Sequence, residues 1–145
     1  MNKSLLLVED NDQDEKLILR VLRKVNLANQ VDVVRDGQQA LDYFAGVGDY
    51  AHRKISDLPA VVLLDISLPR VNGLEVLRRL RIEERTRLLP IVILTSSDDE
   101  RDRLTSYLDG ANSFVRKPLE FGEFAETVAR LGVYWMALNQ PPPGC

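Results

Sequence analysis

Residues 60–65 read Ala-Val-Val-Leu-Leu-Asp, five apolar side chains in succession stopped by an acid. An apolar run of that length without polar alternation is the pattern of a strand buried on both faces. The same design recurs on either side. Leu5-Leu6-Leu7-Val8 stops at Glu9-Asp10, and Ile91-Val92-Ile93-Leu94, introduced by Pro90, stops at Thr95-Ser96-Ser97. Residues 31–34, closed by Asp36-Gly37, and residues 113–116, followed by the corner Lys117-Pro118, supply two further strands. Between the strands lie helical stretches. Leu17, Ile18, Val21, Leu22 and Val25 form one stripe, Leu74, Val76, Leu77 and Leu80 another. Further helices are expected over 38–44, from Ser97 to a stop at Gly110, and over 121–138. Asp12 with Glu15, and Ser97 with Glu100, have capping-box spacing. Five strands alternating with five helices predict a parallel sheet covered on both faces. Right-handed crossovers and a single switch point make it an α/β doubly wound fold.

The 145 residues are 45% hydrophobic and 28% charged, which suits one domain with its own core. Residues 1–138 are assigned to that domain, with an extended last helix, and 139–145 to a flexible Pro-rich tail. Nineteen basic against 22 acidic residues leave a net charge of −3, which argues against nucleic-acid binding. The single cysteine, Cys145, excludes an internal disulfide and is read as a free thiol in the tail; the single histidine, His52, is read as a loop residue. The apolar run before Glu9 is too short for a signal peptide, and nothing approaches the ~18 apolar residues of a membrane span. The expectation is a cytoplasmic chain that does not engage a membrane.

In a doubly wound sheet, ligands bind beyond the carboxyl ends of the strands. That edge receives Glu9 and Asp10 from the first strand, Asp65 from the third, Thr95 from the fourth and Lys117 from the fifth. Each alone reads as a strand-ending polar residue; their convergence on one rim is the signal. Three crowded carboxylates repel one another unless a cation lies among them. Oxygen ligands without thiolate or imidazole favour Mg²⁺, or Mn²⁺, over zinc. A carboxylate can attack phosphorus to give an aspartyl phosphate. An ammonium such as Lys117 and a hydroxyl such as Thr95 would then meet the phosphoryl oxygens.

Leu7-Val8-Glu9-Asp10, Leu63-Leu64-Asp65-Ile66-Ser67-Leu68-Pro69, Asn72-Gly73, Ile93-Leu94-Thr95-Ser96 and Lys117-Pro118 together resemble the receiver domain of two-component response regulators. The resemblance implies a flavodoxin-like fold with strand order 2-1-3-4-5 and phosphotransfer from a histidine kinase to Asp65. It implies Mg²⁺ at Asp10, Asp65 and the Ser67 carbonyl, with Glu9 assisting through water. Thr95 and Lys117 would contact the phosphoryl group, and Lys117-Pro118 would be a cis peptide. Glu9 stands where Asp is common, and Phe114 occupies the switch-aromatic position, often Tyr, that works with Thr95. Gly48-Asp49-Tyr50, the 65–69 run and Tyr134-Trp135 resemble regulators paired with bacterial phytochromes. That resemblance implies a bacteriophytochrome kinase as partner.

The expected function is therefore a stand-alone phosphorelay module rather than an enzyme. Its rival is a Mg²⁺-dependent phosphohydrolase, which would need a second carboxylate two residues after the nucleophile, where Ser67 stands. A receiver-like domain that is never phosphorylated is a third reading, opposed by the intact acid, threonine and lysine set. Arg78, Arg79, Arg81, Arg85 and Arg87 read as a solvated basic face favoured by a helix dipole. The stripe Phe124, Val128, Leu131, Trp135, Leu138 outruns the sheet, so Tyr134, Trp135 and Leu138 are expected to form a homodimer interface.

Overall fold

The apolar runs behave as their lack of alternation requires. In the computed structural model, which describes residues 4–25 and 30–143, five strands pair in parallel: β1 (Ser4–Val8), β2 (Gln30–Val34), β3 (Val61–Leu64), β4 (Ile91–Thr95) and β5 (Ser113–Arg116). Their order is β2-β1-β3-β4-β5, the doubly wound arrangement expected. Alternate residues of each central strand feed two separate cores. Leu5, Leu7, Val61, Leu63, Val92 and Leu94 face α1 (Asp12–Val25) and α5 (Phe121–Val133), meeting Leu17, Ile18, Leu22, Phe124 and Val128. Leu6, Val8, Val62, Leu64, Ile91 and Ile93 face the opposite layer, where α2 (Gly37–Ala45) and α3 (Gly73–Ile82) contribute Phe44, Val76, Leu77 and Leu80. The remaining helix, α4 (Glu100–Leu108), lies beside α3 and β5 and buries only Ser106.

Helix starts depart from the expected capping boxes. Asn11, not Asp12, caps α1: its Oδ1 accepts the Asp14 amide at 2.9 Å. Glu15 instead forms a two-bond ion pair with Arg35 at 2.9 and 2.8 Å. Asp99 caps α4 by accepting the Arg101 amide, while the Ser97 hydroxyl donates to Asp102 at 2.7 Å. In both places several acids and amides compete for one helix end, and spacing alone does not choose among them.

The long connection 46–59 begins at Gly46, whose φ of 67° lets it cap α2. It holds a 3₁₀ turn at Gly48–Tyr50, and His52 is an exposed residue of it. Arg53 stacks over the Tyr43 ring at 3.5 Å and donates to the Tyr43 carbonyl. Arg85 donates to the Phe44 and Ile55 carbonyls at 2.7 and 2.8 Å. Arg81 binds the Gly110, Thr86 and Arg87 carbonyls and Asn112 Oδ1. These two arginines of the basic cluster thus tie loops together instead of forming a solvated face.

The last helix keeps α geometry to Val133 and then widens into a π-helical segment, Tyr134–Leu138. Its buried ridge runs Phe124, Val128, Gly132, Met136, so the core packing expected of Phe124 and Val128 continues through Gly132 and Met136, two residues outside the expected stripe. Leu131 and Trp135 flank the ridge, half-buried against the same core. Gly132 permits this seating, because a Cβ there would stand 3.0 Å from Leu22 Cδ2. The expected tail falls partly on residues 144 and 145, including Cys145, which lie outside the described residues, as does the start of the chain before Ser4. Among the described residues, no helix is long and apolar enough to cross a membrane.

Candidate functional site

Register brings the acids together. Val8 of β1 pairs with Leu64 of β3, so the next residues, Glu9 and Asp65, leave the sheet side by side; the Asp65 amide donates to the Val8 carbonyl at 3.1 Å. Thr95 is opposite Arg116 at the far end of β4 and β5. The Lys117 amide donates to the Thr95 carbonyl at 2.7 Å, which aims the lysine at the same rim. Lys117–Pro118 is not the cis peptide expected: no peptide among the described residues is cis. Trans is the lower-energy isomer even before proline, and with it the lysine still reaches the acids.

The buried centre is an ammonium among carboxylates. Lys117 Nζ lies 2.7 Å from Glu9 Oε1, 2.8 Å from Asp65 Oδ2 and 2.8 Å from Asp14 Oδ2. Lys117 and Asp65 are each 5% exposed and Glu9 1%. Asp65 Oδ1 accepts the Ser67 amide at 3.1 Å, and Glu9 Oε2 accepts the Asn11 amide. Burial, then the neighbouring Asp65 charge, pushes the Glu9 carboxyl up to about 7, against the opposing pull of Lys117. Burial would draw the Lys117 ammonium down, but its bonds to Asp14 and Asp65 and the Asp65 charge hold it above the usual lysine value.

Glu9, Asp10 and Asp65 each place a carboxylate oxygen within 4.8 Å of the others. Three carboxylates, Glu9, Asp14 and Asp65, meet the Lys117 ammonium and Asp10 stands beside Glu9 and Asp65, an excess of negative charge that burial makes costly. The donor set is all oxygen, with Asp10 on the exposed side. Such a set fits a hard divalent cation that keeps some of its waters.

The other expected residues are near but engaged differently. Thr95 is fully buried, and its hydroxyl oxygen accepts a long bond, 3.4 Å, from the Ser97 amide. Ser67 is exposed and meets Asp65 through its amide. Phe114 is half-buried in β5, and its amide donates to the Tyr107 hydroxyl at 3.2 Å. The loop that carries Asp65 is drawn tight: Gly73 N–H donates to the Ile66 carbonyl at 2.8 Å, and a Cβ at Gly73 would collide with the Asp65 carbonyl. Within this loop Arg70 adopts φ of 70°, a left-handed conformation uncommon for a residue other than glycine. Tyr134 and Leu138, expected at an interface, are 48% and 63% exposed, whereas Trp135 is partly taken up by its own core.

Sequence reasoning missed Asp14. The available signal was a carboxylate in the first turn of the helix that leaves the Glu9-Asp10 edge, and it was hidden among the neighbouring acids Asp12 and Glu15.

Residues 5–129 match the response regulator receiver domain family, and the chain belongs to it. Among solved structures, the phosphorylated cyanobacterial phytochrome response regulator RcpA superposes with a TM-score of 0.91 at 30% identity, over 98% of this chain and 99% of that one. The Mn²⁺-bound form of response regulator Rcp1 gives a TM-score of 0.90 at 28% identity, over 97% and 99%. Rcp1 of Synechocystis is 30% identical in sequence over 134 residues, 92% of this chain and 89% of that protein. The bacteriophytochrome response regulator RtBRR is 50% identical, with a TM-score of 0.77 over 99% of this chain and 86% of its own. The fold is thus the flavodoxin-like receiver fold, and this chain is a receiver-domain response regulator close to phytochrome regulators.

Proposed function

We propose that this receiver accepts a phosphoryl group on Asp65 from the phosphohistidine of a histidine kinase, and that the kinase is a bacteriophytochrome. The observation that carries the reading is the buried Asp65 carboxylate, bonded through Oδ2 to Lys117 and within 4.8 Å reach of Glu9 and Asp10. An Asp65 oxygen forms a bond to phosphorus as the phosphorus–nitrogen bond to the donor imidazole breaks, and the imidazole leaves with a proton. Asp65 then carries an acyl phosphate, and the N–H that Lys117 gave to its carboxylate passes to a phosphoryl oxygen. Thr95 supplies a hydroxyl to another after turning from the Ser97 amide, and Phe114 packs behind it. Glu9, Asp10, Asp65 and the Ser67 carbonyl are the groups to hold Mg²⁺ or Mn²⁺, which when bound supplies positive charge to the phosphoryl oxygens. The Mn²⁺-bound Rcp1 supports the metal, the phosphorylated RcpA supports the modification, and RcpA and RtBRR support the kinase class.

The same reading places the protein in the cytoplasm as a signalling module rather than a metabolic enzyme. It takes a kinase as partner rather than nucleic acid, and a second copy through Tyr134, Trp135 and Leu138. Incubation with acetyl phosphate and Mg²⁺ tests the chemistry. One stable phosphoryl group per chain is expected, with none on Asp65→Asn and none in EDTA. Undiminished labelling of Asp65→Asn, or continuous turnover of organic phosphates in the manner of a phosphohydrolase, would overturn the proposal. Phosphotransfer from a phytochrome kinase, against unrelated histidine kinases, tests the partner.

A further inference from the structure

Lys117 has three N–H donors, and three carboxylates stand within 2.8 Å of its Nζ. Glu9 and Asp65 belong also to the candidate metal set; Asp14 does not. Asp14 comes instead from the first turn of α1, and its side chain is 27% exposed where Lys117 is 5%. Asp14 and Lys117 both line a cleft of about 490 Å³ together with Gln13, Leu17, Pro118 and Phe121, whereas Glu9 and Asp65 do not. An ordinary surface pair looks different: Asp12 and Lys16, one turn away, are 75% and 74% exposed.

Taking Asp65 as the phosphoacceptor, we propose that Asp14 is a positioning residue for Lys117, the second of two anchors that hold its ammonium in place while its third proton changes partner. When Asp65 becomes an acyl phosphate its Oδ2 no longer carries the charge that held Lys117. Glu9 alone would leave the ammonium attached at one point, at the end of a flexible four-carbon stem. Glu9 and Asp14 together fix it from two sides, so the freed N–H stays directed at the place the phosphoryl oxygen enters. The same contact fastens α1 to the corner after β5, joining the first helix and the last strand through one side chain.

The test uses the full chain with Asp14→Ala, Asp14→Asn and Lys117→Met, each checked by thermal melting. In metal-free protein at neutral pH, the ¹⁵N-edited side-chain resonance of the Lys117 ammonium is expected to be visible in the wild type. It should persist in Asp14→Asn, which keeps an acceptor oxygen, and vanish through exchange in Asp14→Ala. With acetyl phosphate and Mg²⁺, Asp14→Ala should slow Asp65 labelling roughly tenfold, the order of one lost charge-assisted hydrogen bond. Asp14→Asn should recover most of that loss. In a Lys117→Met background Asp14→Ala should have no further effect, because the two residues act as a unit. An equal loss in both backgrounds overturns the proposal, as does an unchanged Lys117 resonance or an unchanged labelling rate in Asp14→Ala. If the wild type itself takes no phosphoryl group, the phosphoacceptor reading fails, while the resonance still decides whether Asp14 anchors Lys117.

Discussion

Glu9 carries the clearest pH signature at the scale of single residues. Its carboxyl is raised to about 7 in the folded protein, first by burial and then by Asp65, so folding favours the protonated form. Stability contributed in this way is present below the ordinary glutamate value and is lost as pH rises through about 7. Lys117 adds no slope there, since its raised value keeps it charged throughout. Metal-free protein should therefore melt a few degrees lower at pH 8 than at pH 5.5 on account of Glu9. A divalent cation favours the ionised acid, so Mg²⁺ should raise the melting temperature most at the higher pH. Scanning calorimetry in EDTA and in Mg²⁺ reads both. A metal effect independent of pH would remove Glu9 from the site's charge balance.

At the scale of elements, the end of the last helix separates core from surface sharply. Met136 is 3% exposed and Leu138 63%, two residues apart in one π-helical segment. Met136→Ala should cost about 2–5 kcal/mol through lost burial and a cavity. Leu138→Ala should stay within about 0.5 kcal/mol; chemical denaturation of the two variants measures the contrast. This is also where the sequence was least legible. The apolar runs that end before Glu9, Asp65 and Thr95 showed where the strands stop to within a residue, because a strand buried on both faces is filled mostly by apolar side chains; Thr95 itself still belongs to β4 and is buried. The parallel order then put the acids on one rim. Helix phase near residue 134 was hidden, since the stripe through Leu131 and Trp135 is as apolar as the true ridge through Gly132 and Met136, and a small residue at the contact gives no hydrophobic signal. Asp14 was hidden for another reason: its partner lies 103 residues away, beyond any local spacing rule.

At the scale of the whole molecule, the exposed end of the last helix is the expected meeting place of two copies. Val133, Tyr134 and Leu138 leave an apolar edge in solvent, and the Tyr134 and Trp135 rings meet edge to face at 5.0 Å. Trp135 is already half-committed to its own core, so it supports the edge more than it forms it. Sedimentation at tens of micromolar should show a dimer for the wild type and a shift towards monomer for Tyr134→Ala and Leu138→Ala. Trp135→Ala should weaken the dimer and lower the melting temperature together. A monomeric wild type at that concentration would end the dimer proposal.

The strand order has a consequence for how the molecule comes into being. Glu9 and Asp10 follow β1, Asp14 follows them in α1, and Asp65 follows β3, the strand beside β1; the ammonium arrives only after β5, with β4 between. A chain emerging from the ribosome thus gathers four acids long before residue 117 is made. Without the last strand in place the rim would hold these carboxylates and no lysine to face them, an arrangement in which like charges repel. The strand that ends the sheet is also the one followed by the counter-charge, so the balance of the rim depends on the last strand of the chain.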